Sequence, residues 1–462
     1  MTELDYFFDP KSIAIIGASD RLKFGYTTTK YLLESDFNAF AVNPRKEELF
    51  GHHTYKTIKD IPEDIELAIL IVRNEYALQA VKNCVEKGVK GIIIESAGFA
   101  ETGVKELIDI QNEIVKICKD ANVRVIGPNC VGITNFNNNF TTTEIDFTKT
   151  YKGGISIIAQ SGVLGNMYID WGSSQMMGFS KAITLGNKID VDEVDMLEYL
   201  ENDPDTKVIA MYLEGTKRGK ELFNILKKMT KPVIILKNGR SDTGSNAVRS
   251  HTGSMAGNDR IYDAVFDQNP VIFRVNNFYE MFNIAQVFSM QELPKGKNVA
   301  IITSSGSLGI MTCDLMEKYG LSLAKLDPKT IDAIKAIIPS YVSIGGTIDL
   351  GPSMFETITP TLEAIALDEN VDCILLIIAI PSLPLENLKI TMAPYFRRLK
   401  KISANYNKTC VICVFGSRWV FEFLNKAANK HNLPLMIRIK HAIKAFKMMN
   451  DFREYKEKKG FL

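Results

Sequence analysis

Ile13-Ala14-Ile15-Ile16-Gly17-Ala18-Ser19 decides the fold. Four apolar residues in succession leave no polar face, so the run reads as a strand buried on both sides, as in a parallel sheet. A small-residue turn follows at once, and amphipathic spacing resumes beyond it. The pattern recurs at Ala68-Ile-Leu-Ile-Val72, Gly91-Ile-Ile-Ile94 and Val123-Arg-Val-Ile126. Strand-like runs alternating with helical segments predict an α/β protein.

Further along, Ile155-Ser-Ile-Ile158, Val208-Ile-Ala-Met-Tyr212 and Val233-Ile-Ile-Leu236 form a second series. Val299-Ala-Ile-Ile302, Cys373 to Ile380 and Val411 to Phe415 form a third. The polar stretch Asn137-Asn-Asn-Phe-Thr-Thr-Thr143 reads as the end of the first series, and Leu293-Pro-Lys-Gly-Lys-Asn298 as a linker. The second and third series open alike, with Ile157-Ile-Ala-Gln-Ser-Gly-Val-Leu-Gly165 echoed by Ile301-Ile-Thr-Ser-Ser-Gly-Ser-Leu-Gly309. Three successive modules are expected, at 1–148, 149–290 and 291–462.

Composition narrows the function classes. The chain has 462 residues, and its net charge of +1 comes from 55 basic and 54 acidic residues. No basic footprint for nucleic acid or a membrane surface is apparent. No apolar run approaches the ~20 residues of a membrane helix. The start, Met-Thr-Glu-Leu-Asp-Tyr, lacks the pattern of a secretory signal. Seven scattered cysteines fit a reducing cytosol better than a disulfide framework. Cys410-Val-Ile-Cys413 has CxxC spacing, but alternation along a strand points the two thiols to opposite faces, so buried structural cysteine is expected.

Several loops suit phosphate. Gly17-Ala-Ser-Asp-Arg-Leu-Lys-Phe-Gly25 joins a strand to a helix, and the first amides of a helix offer donors at its positive end. The next glycine lies eight residues after Gly17, which departs from the dinucleotide fingerprint and disfavours a nicotinamide cofactor. Lys23, Arg45 and Lys46 can supply charge to a phosphate. Ser161 reads as an N-cap with Gly162 opening a helix. Leu185-Gly-Asn-Lys-Ile-Asp-Val-Asp192 is a polar loop in which Asp192 either caps a helix or contributes to a cation site. With so few ligands, no metal site is expected. Glu214, ending Tyr212-Leu-Glu214, stands at the C-terminal end of a strand, where it is either a surface carboxylate or the orienting partner of an imidazole.

The imidazole in question belongs to Ser250-His251-Thr252-Gly253-Ser254-Met255-Ala256-Gly257. Only five histidines occur in the chain. Small neighbours let the backbone fold closely around this ring, and the segment is expected to be a strand-to-helix loop. His251 is there either a nucleophile or a residue that caps nearby backbone.

Together with Ile15-Ile-Gly-Ala-Ser19, Gly127-Pro-Asn-Cys-Val-Gly132, Gln160-Ser-Gly162 and Leu185-Gly-Asn187, these motifs give a resemblance across essentially the whole chain. It resembles the α subunit of the ADP-forming acetyl-CoA (acyl-CoA) synthetases, in the succinyl-CoA synthetase superfamily. The resemblance implies a Rossmann-like CoA-binding domain followed by two flavodoxin-like ligase domains. It implies a cytoplasmic ligase that converts acyl-CoA, ADP and phosphate to acid, CoA and ATP through an acyl phosphate and a phosphohistidine. His251 falls on the phosphorylated residue and Glu214 on the carboxylate that steadies it. Ser161, Gly162, Gly186 and Asn187 fall on the phosphate site. Coenzyme A would rest on Gly17, Ala18, Ser19, Lys23 and Gly25, and on Lys46, Val72, Ser96, Ala97 and Asn129. No ATP-grasp domain is legible, so ADP with Mg2+ is expected on a separate ATP-grasp β subunit, in an αβ or α2β2 complex. Gly345-Gly-Thr-Ile-Asp349 departs from the Asn-Pro-Val-Asp pattern of such domains, which leaves that loop without an assigned role. The alternative is a non-catalytic CoA-binding subunit of the same fold.

Overall fold

The computed structural model describes residues 4–252, 258–340, 342–344, 346–387 and 390–461, and only the backbone at 249–252 and 384. The chain divides into two compact units, Met1–Val275 and Asn276–Leu462.

The first unit holds two sheets. Strands β1 (Ile13–Ile16), β2 (Ala39–Val42), β3 (Glu48–Leu49), β4 (His52–Tyr55), β5 (Leu67–Leu70), β6 (Gly91–Ile94) and β7 (Arg124–Ile126) lie in the order β3-β4-β2-β1-β5-β6-β7. Every pairing is parallel except β3 with β4. All four residues of β1, β5 and β6 are buried, as continuous apolar runs require. Helices α1 (Asp5–Phe8), α2 (Tyr26–Glu34), α3 (Asn74–Lys87) and α4 (Lys105–Asp120) lie along this stretch of the chain. In α3 the buried side chains are Ala77, Ala80, Val81 and Cys84, one stripe at helical spacing. After β4 the chain crosses to the other side of β1, which opens a crevice beyond the carboxyl ends of β1 and β5.

The second sheet comprises β8 (Ile133–Asn135), β9 (Phe140–Thr141), β10 (Tyr151–Ala159), β11 (Gly178–Thr184), β12 (Val208–Leu213), β13 (Val233–Lys237) and β14 (Ile272–Arg274). Their order is β14-β13-β12-β10-β11-β8-β9. The helices are α5 (Gly162–Ser174), α6 (Glu193–Asn202), α7 (Gly219–Leu226), α8 (Asp242–Thr252) and α9 (Asp259–Asp267). The polar stretch around Asn137, read as the end of the first module, is the turn of an antiparallel hairpin, β8–β9, that extends the second sheet along β11. Polar side chains hid this strand pair, yet Thr134, Phe140 and Thr141 are fully buried.

The second unit carries β15 (Asn298–Thr303), β16 (Ser322–Leu323), β17 (Ser343–Ile344), β18 (Ile348–Asp349), β19 (Cys373–Ala379), β20 (Thr409–Phe415) and β21 (Leu435–Met436). The order is β17-β18-β15-β19-β20-β21, with β16 also on β15. Gly345, in the loop that departs from the family pattern, lies outside the described residues. Cys410 and Cys413 are buried in β20, and burial raises both thiols. The internal echo is a structural one. Strand β15 leads through Ser305 to α11 (Gly306–Lys318), as β10 leads through Ser161 to α5, and each helix has 13 residues. Helix α10 (Phe278–Met290), placed in the second module by sequence, belongs to this unit. It packs along the C-terminal helix Ile439–Lys459, where Asn283 and His441 share a 2.9 Å hydrogen bond.

Phe140 is buried on the hairpin, with its ring edge-on to Phe37 at 5.2 Å between centroids. Phe140→Ala is expected to destabilise the Met1–Val275 unit by about 3–5 kcal/mol. Denaturant unfolding should show that unit's transition moving while the transition of Asn276–Leu462 stays in place.

Candidate functional site

A cavity of about 830 Å3 opens at the crevice of the first sheet. Its floor is the turn after β1, where Gly17, with φ of +90°, approaches Ile71 so closely that a Cβ would stand 2.6 Å from that residue's carbonyl oxygen. The Asn43 side chain donates to the Ala18 carbonyl at 2.8 Å and accepts the Arg45 N–H at 2.9 Å, which ties the turns after β1 and β2 together. Arg21, Lys23, Arg45, Lys46, Lys56 and Arg73 face the cavity against one carboxylate, Asp20. Lys46 and Asp20 are 2.9 Å apart, and that hydrogen bond holds the Asp20 carboxyl below its ordinary value. A surplus of cations around a partly apolar cleft suits a ligand with several phosphates and an apolar portion. Gly17, Ala18, Ser19, Lys23, Lys46, Val72, Ser96 and Ala97 all line it. Gly25 and Asn129 do not. Gly25 stands at the N-cap of α2, and Asn129 donates its backbone N–H to Ser96 at 2.9 Å.

Beside Ser96, Glu95 is 4% exposed, and burial pushes its carboxyl well above the usual carboxylate range. The chain next reaches the single turn Ala100–Thr102, and the backbone of α8 lies against this turn. His251 is in the last turn of α8, so its segment is helical up to Thr252 and joins two helices, instead of forming a strand-to-helix loop. Ser250, His251 and Thr252 are weak helix formers individually, so local sequence carried no helix signal here. The His251 side chain and residues Gly253–Gly257 lie outside the described structure.

The second sheet contributes the start of α5. Ser161 is its N-cap residue, and the hydroxyl makes no capping bond. Gly162 lies so close to Val131 that a Cβ would meet that side chain at 2.5 Å, so the helix start abuts the loop after β7. Glu214 follows β12 and is 5% exposed. It accepts the Tyr212 hydroxyl at 3.1 Å, and its own backbone N–H bonds Gln160 Oε1 at 3.0 Å. Burial and the nearby Glu214 raise Tyr212 to about 12, so its proton stays in place near neutrality.

Loop 185–189 joins the two sheets. The Gly186 N–H bonds the Gln160 carbonyl at 3.1 Å, and the Asn187 N–H bonds the Pro128 carbonyl at 2.8 Å. Gly186 has φ of +60°, and a Cβ there would be 2.1 Å from the Pro128 oxygen. The Asn187 side-chain amide, expected at the phosphate, donates to Glu101 at 2.6 Å and Gln111 at 3.0 Å. Both its N–H groups are therefore engaged within the chain. Asp192 caps α6 through the Val194 N–H at 2.8 Å and pairs with Arg218 at 3.1 Å; the capping alternative is the one observed.

Sequence reasoning missed three side chains. Gln160 was quoted only as part of a motif, and Lys188 only as a neighbour of Asn187. Lys237 is 1% exposed at the end of β13, with its ammonium 4.5 Å above the Tyr262 ring. A lysine closing an otherwise apolar run was the available signal.

Burial lowers Lys237 to about 8. Between about pH 8 and 10.5 the folded chain has released this proton while the unfolded chain keeps it, so stability contributed by this site rises with pH across that window. Lys237→Met should abolish that component, which parallel urea titrations of the two proteins at pH 7.5 and 9.5 would detect.

Residues 11–135 match the CoA binding domain model, and residues 152–288 match the succinyl-CoA ligase-like flavodoxin domain model. The chain is 39% identical over 440 residues to the acetate–CoA ligase [ADP-forming] II subunit alpha of Pyrococcus furiosus, covering 93% of this chain and 94% of that protein. It is 40% identical over 353 residues to the acetate–CoA ligase [ADP-forming] of Methanocaldococcus jannaschii, 75% of this chain but only 49% of that longer protein. A crystal structure from Pyrococcus horikoshii OT3 superposes with a TM-score of 0.86 at 33% identity, covering 98% of this chain and 99% of that one. The dinucleotide-forming acetyl-coenzyme A synthetase 1 of Ca. Korarchaeum cryptofilum, in complex with phosphate and ADP, superposes with a TM-score of 0.87 at 25% identity, covering 99% and 98%.

Proposed function

The chain belongs to the ADP-forming acetate–CoA ligase family, and from that premise we propose that it is the α subunit of an ADP-forming acyl-CoA synthetase. The observation that carries the reading is one compact unit holding a cation-lined cavity, a helix start whose N-cap serine hydroxyl makes no capping bond, and a buried glutamate, with the His251 helix against the turn Ala100–Thr102.

In this reading Lys23, Arg45 and Lys46 hold the phosphates of CoA. The turns that carry Gly17, Val72 and Ser96 shape the path of its arm toward the second sheet. Gly25 and Asn129 act on that path from behind, through backbone. An oxygen of inorganic phosphate attacks the thioester carbonyl, the C–S bond breaks, and the thiolate takes the proton that phosphate gives up. The acyl phosphate then passes its phosphoryl to a neutral His251 nitrogen, and the carboxylate leaves. Imidazole, with a reference pKa of about 6.5, is largely neutral near pH 7. Glu214 holds the other ring nitrogen protonated and fixes the tautomer. Ser161 and Gly162 face the dianion at the start of α5, Gly186 and Asn187 hold the adjoining loop in place through their backbone bonds to Gln160 and Pro128, and the α5 dipole favours the charge. Phosphoryl transfer needs mainly positioning and electrostatic stabilisation.

The terminal oxygen of ADP finally takes the phosphoryl from His251, giving ATP. We place ADP and its Mg2+ on an ATP-grasp β subunit in an αβ or α2β2 complex in the cytoplasm. The Pyrococcus furiosus relative's name as a subunit alpha supports a partner chain. Among the described residues no helix is long and apolar enough to cross a membrane.

Incubation of the full chain with acyl-CoA and radiolabelled phosphate should give an acid-labile, base-stable label. His251→Ala should abolish the label while CoA binding, read by calorimetry, stays within twofold. Glu214→Gln should slow labelling by about 10- to 100-fold, the loss expected for removing one charge-assisted contact. A wild-type chain that binds CoA but takes no label would leave only the non-catalytic alternative.

A further inference from the structure

Gln160 sits between β10 and the N-cap of α5 and is 3% exposed. Three donors converge on its Oε1: the Glu214 N–H at 3.0 Å, the Gly215 N–H at 3.2 Å and the Lys188 ammonium at 3.3 Å. That convergence settles which terminal atom is oxygen, because an amide nitrogen cannot accept from any of them. The other terminal atom is Nε2, with two N–H groups. It is buried and has no hydrogen-bond acceptor among the described residues.

Lys188 cannot be the anion ligand in its place. Its ammonium gives its three N–H groups to Gln160, to Glu193 at 2.8 Å and to the Gly215 carbonyl at 2.6 Å. Its charge is matched by a fully buried carboxylate. Lysine, glutamate and backbone thus clamp the oxygen side of the amide and leave the nitrogen side without an acceptor. A buried donor pair without an acceptor is costly unless a ligand completes it. The next residues in the chain are the α5 N-cap, whose hydroxyl makes no cap, and the first free amides of a 13-residue helix. The helix amides, the Ser161 hydroxyl and the Gln160 carboxamide can all donate here, a set that suits an oxyanion.

We propose that the Gln160 side-chain amide is a ligand of the phosphoryl group at the start of α5, for inorganic phosphate and then for the phosphoryl carried by the histidine, with Lys188 as the residue that positions it. The proposal rests on the reading of this chain as a phosphoryl carrier. A neutral double donor suits a carrier: it orients the dianion without the charge that would trap it between transfers.

Gln160→Glu tests the assignment, because a carboxylate oxygen still faces the three donors while the N–H pair is lost. The full chain is titrated with inorganic phosphate by 31P NMR, labelled with radioactive phosphate and acyl-CoA, and melted. The expected result is an unchanged melting temperature, phosphate affinity weakened by about 10- to 100-fold, and a matching loss of label. Lys188→Met should lower the melting temperature and the label together. A Gln160→Glu chain that binds phosphate and takes label as the wild type does overturns the assignment and leaves the carrier reading standing. A wild type that takes no label overturns both. Should Gln160→Glu not fold, a crystal of the wild-type chain grown with phosphate decides. A phosphate oxygen about 3 Å from Nε2 is expected, and an anion at the α5 start with Nε2 turned away overturns the assignment.

Discussion

Loop 185–189 is the constraint on which the rest of the first unit depends. It is hydrogen-bonded on one side to the end of β10 and on the other to the loop after β7, through Leu185 to Ala159, Gly186 to Gln160, Asn187 to Pro128 and Ile189 to Gly127. Thr184 adds its own pair, taking the Val131 N–H and giving to the Gly132 carbonyl at 2.8 Å. No side chain fits at Gly186, so the spacing of the two sheets is set by main chain against main chain. Main-chain contacts have few rotamers to repack, and a site distributed over two sheets needs that rigidity.

Two kinds of electrostatics follow from this frame. The cavity of the first sheet is lined by lysines and arginines that keep at least part of their side chains in water. They suit a ligand that must arrive, be held and leave. Beside the α5 start the ammonium of Lys188 is buried and already paired with Glu193. What remains uncommitted there is backbone amide, hydroxyl and carboxamide. Partly desolvated neutral donors act strongly on a dianion while keeping their geometry as its charge is redistributed.

Much of this is legible in the amino-acid sequence. The continuous runs at Ile13, Ala68 and Gly91 read as strands buried on both faces, and Ser161-Gly162 was legible as a helix start, with a cap as one of two readings for Asp192, because capping chemistry is local. The cavity residues were named from the resemblance, and eight of ten line the cavity. What stayed hidden depends on tertiary partners. Asn187 reads as a free polar group until Glu101 and Gln111, distant in sequence, take its donors. Gln160 and Lys188 carry no local signal, since their roles exist only where β10, β11 and β12 end together. Helix α10 has apolar residues on nearly every face, and periodicity alone cannot say which sheet such a helix accompanies.

The hairpin β8–β9 also decides how the chain can be cut. Its strands complete the second sheet, yet its turn and flanks are tied to the first: Asn135 and Asn138 donate to the Phe8 carbonyl, and Thr28 donates to that of Thr142. A fragment ending near residue 135 would leave Phe8 and Thr28 without these partners, and one starting near 152 would open the β11 edge to any passing strand. The two halves that separate domain models recognise are therefore laced into one compact unit, and a stable half-protein would need a new seam of its own.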